Sequence, residues 1–421
     1  MKGYYLYPDV NGDQLVFTSD DDIWSVSVKG GEAIRLTSDM GIAARPKISP
    51  DGKWIAFSRK QLGEQPLSEV YVIPIDGGTA TRLTYFGSPY TEVVGWNGDK
   101  VIVSSDYHRP FSRWTELFEV KISGGQPVRL PYGKATTIAR YGNVMVIGRN
   151  TYDLTYWKRY RGGTRGKFWI DREGNGKFVT FLEDLQGNLT SPCFMGGRLY
   201  FISDHEGNGN VYSVDLDGKD LKRHTSFSEY YARNASSDGK SLVFHAGGDI
   251  YMLRAEKLVR VDVDIPSSRK GKLPRFVEVF KNLEDYCLHQ NGKTSMLCVR
   301  GRPFIMGNFA GEVINPGASN GIRYRLPKFL SPGDSVAVVI DPGETEKVAL
   351  MSVVSGEVRE LAELGTVESL EPSPDGSFLA VSNSRNELWI VRTSDGGKAM
   401  LDSSGYGPIT EVTWHKGSEW I

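Results

Sequence analysis

Five cations and two aromatic side chains fall within eleven residues, Trp157-Lys158-Arg159-Tyr160-Arg161-Gly162-Gly163-Thr164-Arg165-Gly166-Lys167. Guanidinium groups clamp carboxylates bidentately, and arginine interleaved with aromatics also suits stacked bases. This segment therefore has three readings: packing on neighbouring elements or another subunit, contact with a peptide in a channel, or contact with nucleic acid. Gly317-Ala-Ser-Asn-Gly321 matches the G-x-S-x-G nucleophile elbow, which needs a buried strand before the serine and a helix after it. The flanking sequence reads as turn then strand, so an inter-strand loop is expected there. Ser267-Ser-Arg-Lys270 matches S-x-x-K but lies in a polar, proline-bounded stretch. The six histidines are scattered, with no H-x-x-x-H pair, so no metal site is expected. Asp215-Leu-Asp-Gly-Lys-Asp220 has the start of a calcium loop without its later bidentate glutamate, and turn chemistry suffices. Neither catalytic residues nor a cofactor site are expected in this chain.

Lys and Arg number 50 against 51 Asp and Glu, and this balance disfavours nucleic acid and anionic membrane surfaces as partners. Apolar runs such as Val336–Ile340 are strand-sized, so no membrane span is expected. Three cysteines without C-x-x-C argue against a disulfide framework or a structural zinc. The N-terminus lacks the apolar core of a signal peptide, and a cytoplasmic location is expected.

The elements that must carry these residues repeat. Gly-Gly turns between short β-rich runs stand at Gly30, Gly77 and Gly124, each 47 residues after the last. Asp217-Gly218 follows about two periods later. A second turn, at Asn11-Gly12, Asp51-Gly52, Asn97-Gly98, Gly196-Gly197 and Asp238-Gly239, introduces an alternating apolar strand in each unit. Each unit reads as four antiparallel strands, which bury both faces only when stacked radially. Six units fit before Pro266, at roughly 4–43, 44–88, 89–134, 135–187, 188–230 and 231–266. The predicted fold is all-β: a six-bladed β-propeller over 1–266, a linker over 267–274, and an incomplete second β-propeller over 275–421. The first ring is expected to close by packing, without a shared strand. Turns at Gly292, Gly333, Gly376 and Gly417 are 41, 43 and 41 residues apart, giving three further blades and part of a fourth. The last run, Val412 to Ile421, stops at the equivalent of Ile55, and the chain is expected to be a piece of something longer.

The blade consensus, P-x-x-S-P-D-G followed by G-G-x-x-x-R-L-T, resembles TolB-like and peptidase-associated propellers. RNTYDLTYWKRYRGGTRGKFWI (Arg149–Ile170) and FISDHEGNGNVYSVDLDGKDLKRHTSF (Phe201–Phe227) are similar to the tricorn protease family. That resemblance implies a six-bladed and then a seven-bladed propeller, followed by a serine-peptidase core beyond Ile421. It also implies homohexamers that degrade oligopeptides downstream of the proteasome. On this reading the chain is the substrate-gating and channel region, with oligopeptides as partners. Trp157, Lys158, Arg159, Arg161, Arg165 and Lys167 are its candidate channel or subunit contacts. Members of the family anchor peptide C-termini through a pair of arginines. Phe86–Val93, where that pair is expected, has no Lys or Arg, so no residue is assigned the role. The alternative is a non-enzymatic TolB-like scaffold that binds proteins through its loop faces.

Overall fold

The structure is a computed structural model that describes residues 3–38, 41–62, 66–266, 278–316, 321–331, 333–343 and 345–421. The chain divides into two compact units, Met1–Arg269 and Lys270–Ile421. Among the described residues the first unit contains six four-stranded antiparallel sheets, each built from strands consecutive in sequence apart from the two-residue Gly31–Glu32. Their innermost strands are Leu6–Asn11, Ile42–Ile48, Glu92–Asn97, Thr137–Tyr141, Leu189–Met195 and Arg233–Ser237. Each neighbours the next, and Leu6–Asn11 lies beside Arg233–Ser237, which closes the ring. The fold is therefore an all-β propeller. The linker expected over 267–274, with its S-x-x-K sequence, lies outside the described residues.

Period-two alternation explains why the blades stack. In the second strand of blade 1, Leu15 and Phe17 join a core shared with blade 6, while Val16 points into a core shared with blade 2. Ile55 and Phe57 face blade 1, and Ala56 between them faces blade 3. Ile102 and Val101 divide in the same way between blades 4 and 2. Successive side chains on a strand point to opposite faces. A strand with an unbroken apolar run such as Leu15-Val16-Phe17 therefore needs a partner sheet on both sides. Phe17, Phe57, Phe201 and Phe244 are fully buried at such interfaces. Each contributes about 1.5–3 kcal/mol by leaving water.

The R-L-T ending of the consensus has a structural cause. In blade 1, Arg35 pairs with Asp22 at the head of the third strand, and the Thr37 hydroxyl donates to the same carboxylate while accepting the Ile23 N–H. Arg82 and Thr84 repeat this around Glu69. Thr225 does so with Asn210 in blade 5. In blades 2 and 5 the outermost strand beside this clamp is only two residues long, Thr81–Arg82 and Lys222–Arg223.

Closure has one feature the sequence does not announce. No four-stranded blade borrows a strand from another, but Val263–Asp264 runs parallel to Gly31–Glu32 on the outside of blade 1. Gly31 N–H donates to Asp262 and Ala33 N–H to Asp264, at 2.9 and 2.8 Å. Packing alone was expected; a backbone bridge adds to it.

The second unit holds three four-stranded blades, Leu283–Ile314, Arg323–Glu363 and Val367–Ser403, among the described residues. The tip of the G-x-S-x-G sequence, residues 317–320, lies outside them. Part of a fourth blade was expected at the end of the chain, yet residues 404–421 form no strand. They do form its turn: His415 N–H donates to Trp420 and Ser418 N–H to His415. Ser373 and Gly376 make the same two bonds in the preceding blade. Trp414 Nε1 also donates to Glu371 across to that blade at 3.0 Å, as Trp96 Nε1 donates to Lys47 in the first unit. The turn is in place while the ladder that would follow it is absent.

Gly30 tests the closure. A Cβ there would stand 2.3 Å from the Asp262 carbonyl oxygen, whereas one on Gly124, at nearly the same φ, meets nothing within 4 Å. Both alanine substitutions strain a left-handed residue, but only Gly30→Ala also pushes the closing strand away. Gly30→Ala is expected to destabilise the first unit by about 1–3 kcal/mol more than Gly124→Ala in urea melts. Equal losses would show that the bridge does not hold the ring.

Candidate functional site

The six innermost strands surround a channel with a cavity of about 500 Å³. Five of these strands carry a register break: between Leu6 and Asp9, Ala44 and Lys47, Val93 and Gly95, Thr190 and Cys193, and Arg233 and Ser236. Such bulges re-aim side chains. At four of them a non-glycine residue is left-handed, with φ of 50° at Tyr7, 56° at Arg45, 53° at Ser191 and 51° at Asn234. Proline follows in three cases, as Pro8, Pro46 and Pro192. Lacking an N–H, proline leaves no donor unpaired where the ladder is interrupted.

Around one mouth these bulges assemble a cross-blade collar. The Arg45 guanidinium lies 4.7 Å from the Tyr7 ring centroid and pairs with Glu92 at 3.1 Å. Asp153, from the blade 4 insertion, accepts from both Arg233 nitrogens Nε and Nη2, and from Asn234 Nδ2 at 3.2 Å. Burial opposes its ionisation, but Arg233 and Thr155 hold its carboxyl below the usual range. Asn234 Nδ2 also lies 3.0 Å from His245 Nε2, which acts as acceptor in the neutral ring. Burial, with Arg233 beside it, pushes the His245 imidazole down to about 3. Deeper in the channel, Lys47 binds Asp9 and Ser236 at 3.1 and 2.6 Å. These groups are spent on one another. The arrangement offers a polar passage with a fixed collar and no nucleophile held against a base.

The candidate cations lie in the loop between the second and third strands of blade 4, Val144–Arg149 and Lys167–Asp171. Arg159 is tied to blade 5: its backbone N–H donates to Asp204 at 2.9 Å and its Nε to Gly207 at 3.3 Å. Arg161 Nη2 donates to the His205 carbonyl, and Arg165 Nη2 to that of Glu183, both at 3.2 Å. Trp157 is 63% exposed and stacks on Tyr160 at 3.9 Å. Lys158 follows Trp157 in the same loop. Lys167 begins the next strand, opposite Arg149. The six residues do not converge: Arg159, Arg161 and Arg165 face carbonyl oxygens of their own chain, and Trp157 faces outward. The collar residues were missed because no motif links Tyr7, Arg45, Asp153 and Arg233. The recurring x-Pro in the first strand of blades 1, 2 and 5 was the available signal.

Residues 2–258 match the family described as the tricorn protease N-terminal beta propeller domain. The chain belongs to the tricorn protease family. It is 41% identical over 426 residues to the tricorn protease homolog of Saccharolobus solfataricus, covering 100% of this chain and 39% of that protein. It is 33% identical over 436 residues to the tricorn protease of Thermoplasma acidophilum, covering 100% and 40%. The crystal structure of the tricorn protease superposes with a TM-score of 0.61 at 31% identity, over 99% of this chain and 41% of that one. The chain thus spans about two-fifths of the length of the curated relatives it matches. Among the described residues no helix is long and apolar enough to cross a membrane.

The buried imidazole makes a pH prediction. An unfolded histidine takes up its proton near 6.5, whereas folded His245 does so only at about 3. Between those values the unfolded chain binds more protons, so stability present above pH 6.5 is lost as pH falls. The slope approaches about 1.4 kcal/mol per pH unit. Between pH 6.5 and 5, above most carboxylate titration, His245→Gln should flatten the fall seen in urea melts. Parallel curves for the two proteins would refute the assignment.

Proposed function

We propose that this chain is the gating and channel region of a tricorn-type serine peptidase that degrades oligopeptides released by the proteasome. The observation that carries the reading is the channel itself, framed by one strand from each of six blades and lined by polar groups at its bulges. Strands surround the passage and loops cluster at its two faces, so access is set by width and by lining charge. Family membership supports the peptidase context, and the catalytic groups would belong to the part of the protein this chain does not span. The blades after Lys270 would belong to a second, seven-bladed ring, and the full protein would assemble as a cytoplasmic homohexamer. Within this reading the exposed Trp157–Tyr160 stack, with Lys158 beside it, meets either a peptide or a neighbouring subunit, while Arg159, Arg161 and Arg165 anchor it and Lys167 roots the loop.

Gly95 gives a direct test. It lines the channel in blade 3, and a Cβ there would meet nothing within 4 Å. Gly95→Trp should therefore narrow the passage, its Cβ entering open space. In the complete enzyme, turnover of long peptides is expected to fall several-fold, with short fluorogenic peptides much less affected and the thermal midpoint unchanged. Long-peptide turnover equal to that of the unsubstituted enzyme would eliminate passage through this ring.

A further inference from the structure

Between blades 3 and 4, away from the collar, three basic residues meet at one edge without an ion pair among the described residues. Arg149 ends the second strand of blade 4 and is paired in register with Lys167, so the two side chains share one face. That face packs towards blade 3, since Ile147 and Trp169, the next pair along, belong to the core shared with that blade. Lys134 reaches the same edge from the connection between the blades, where Thr136 N–H donates to the Gly148 carbonyl at 2.8 Å.

Two indoles frame the group. The Arg149 guanidinium lies 4.3 Å from the Trp169 centroid, and Lys134 Nζ lies 5.2 Å from that of Trp114, which is 47% exposed. Among the described residues, none of Lys134, Arg149 and Lys167 has an ion pair or a side-chain hydrogen bond, and Arg149 Nε is buried without a partner. Elsewhere in the unit, cations set where strands meet, such as Arg35, Lys47, Arg82 and Arg233, are each paired with a carboxylate.

Burial, and then the neighbouring Arg149, draw the Lys134 ammonium below its usual range; burial alone does the same to Arg149. Like charges held side by side cost stability. An unpartnered, buried guanidinium nitrogen adds a desolvation penalty. An anion entering from solvent and bound by the exposed parts of these cations would remove the first penalty. A single carboxylate would leave two of the three charges unbalanced, whereas a phosphate group carries about −1.5 to −2 near neutrality and accepts a bidentate guanidinium.

We infer that Lys134, Arg149 and Lys167 form a phosphate-binding site at the blade 3–blade 4 edge, with Trp114 and Trp169 holding two of its cations in place. The ligand is defined by its phosphate group, whether free inorganic phosphate or a phosphate monoester. The site is separate from the channel and does not depend on peptide passage.

The purified chain can be titrated calorimetrically with sodium phosphate and with glycerol phosphate, with sodium acetate at matched ionic strength as control. Saturable binding of either phosphate is expected, and which one binds more tightly identifies the source. Acetate should bind at least about tenfold more weakly. Lys134→Met combined with Lys167→Met should weaken phosphate binding at least about tenfold and, by relieving repulsion, leave the ligand-free thermal midpoint equal or higher. Arg149→Lys keeps the charge but loses the planar fork, and should weaken binding by less than the double substitution. Absence of saturation in the unsubstituted chain, undiminished binding in the double variant, or acetate binding as tightly as phosphate would each overturn the assignment.

Discussion

A four-stranded sheet whose second strand carries an unbroken apolar run, buried on both faces, has no stable existence alone, and the whole first unit follows from that. Leu15-Val16-Phe17 and Ile55-Ala56-Phe57 send alternate side chains to opposite faces, so each blade creates a demand for a neighbour on both sides. A row of such sheets has two unsatisfied ends until it curves into a ring. The last contact of the ring is therefore as necessary as any other. Here it is made twice, by the shared core of blades 1 and 6 and by the backbone bridge between Val263–Asp264 and Gly31–Glu32. The bridge is short, yet it fixes the register in which the two ends meet. It also requires a glycine at position 30, where a side chain would collide with the closing strand.

Closure in turn positions the channel. Once six strands converge, their inner edges cannot all continue regular ladders, and the bulges at Tyr7, Arg45, Ser191 and Asn234 absorb the mismatch. Left-handed non-glycine residues cost on the order of 1–3 kcal/mol each. They persist where surrounding structure over-determines them. The collar supplies that: Arg45 is held by Tyr7 and Glu92, and Asn234 by Asp153 and His245. Five of the six blades contribute to one polar ring, so a change in blade packing would be felt at the mouth.

What could be read in the sequence divides along the same physical line. Turns and alternation are local, so the 47-residue spacing of Gly30, Gly77 and Gly124 was enough to count blades and place strands. The R-L-T motif was visible as a pattern, but its role needed Asp22 and Glu69, more than ten residues away, to be brought against it. The collar was not legible because its members come from distant blades: Asp153 and Arg233 are 80 residues apart. The basic segment Trp157–Lys167 was conspicuous, yet its arginines turn out to bind carbonyl oxygens of blades 4 and 5. Local density of charge did not report what that charge faces. At the other end of the chain, the turn at His415–Trp420 forms while its strands do not, because a turn needs only local bonds and a strand needs a neighbour.

The pairing of charges separates positions that hold the ring together from positions left open to solution. In this nearly neutral chain the acidic and basic residues are numerically matched, 51 against 50, so an unpaired cluster does not reflect an overall excess of positive charge. Paired groups such as Arg82–Glu69 sit where strands meet and repeat from blade to blade, as expected of residues that set blade geometry. The group at Lys134, Arg149 and Lys167 does not repeat, and two of its members rest on indole faces in place of carboxylates. Cation–π contact orients a cation without neutralising it. The charge therefore remains unbalanced at that half-buried edge. A scaffold that sets carboxylates against the cations where its strands meet, but none against this cluster, is suited to receive an anion there from solution.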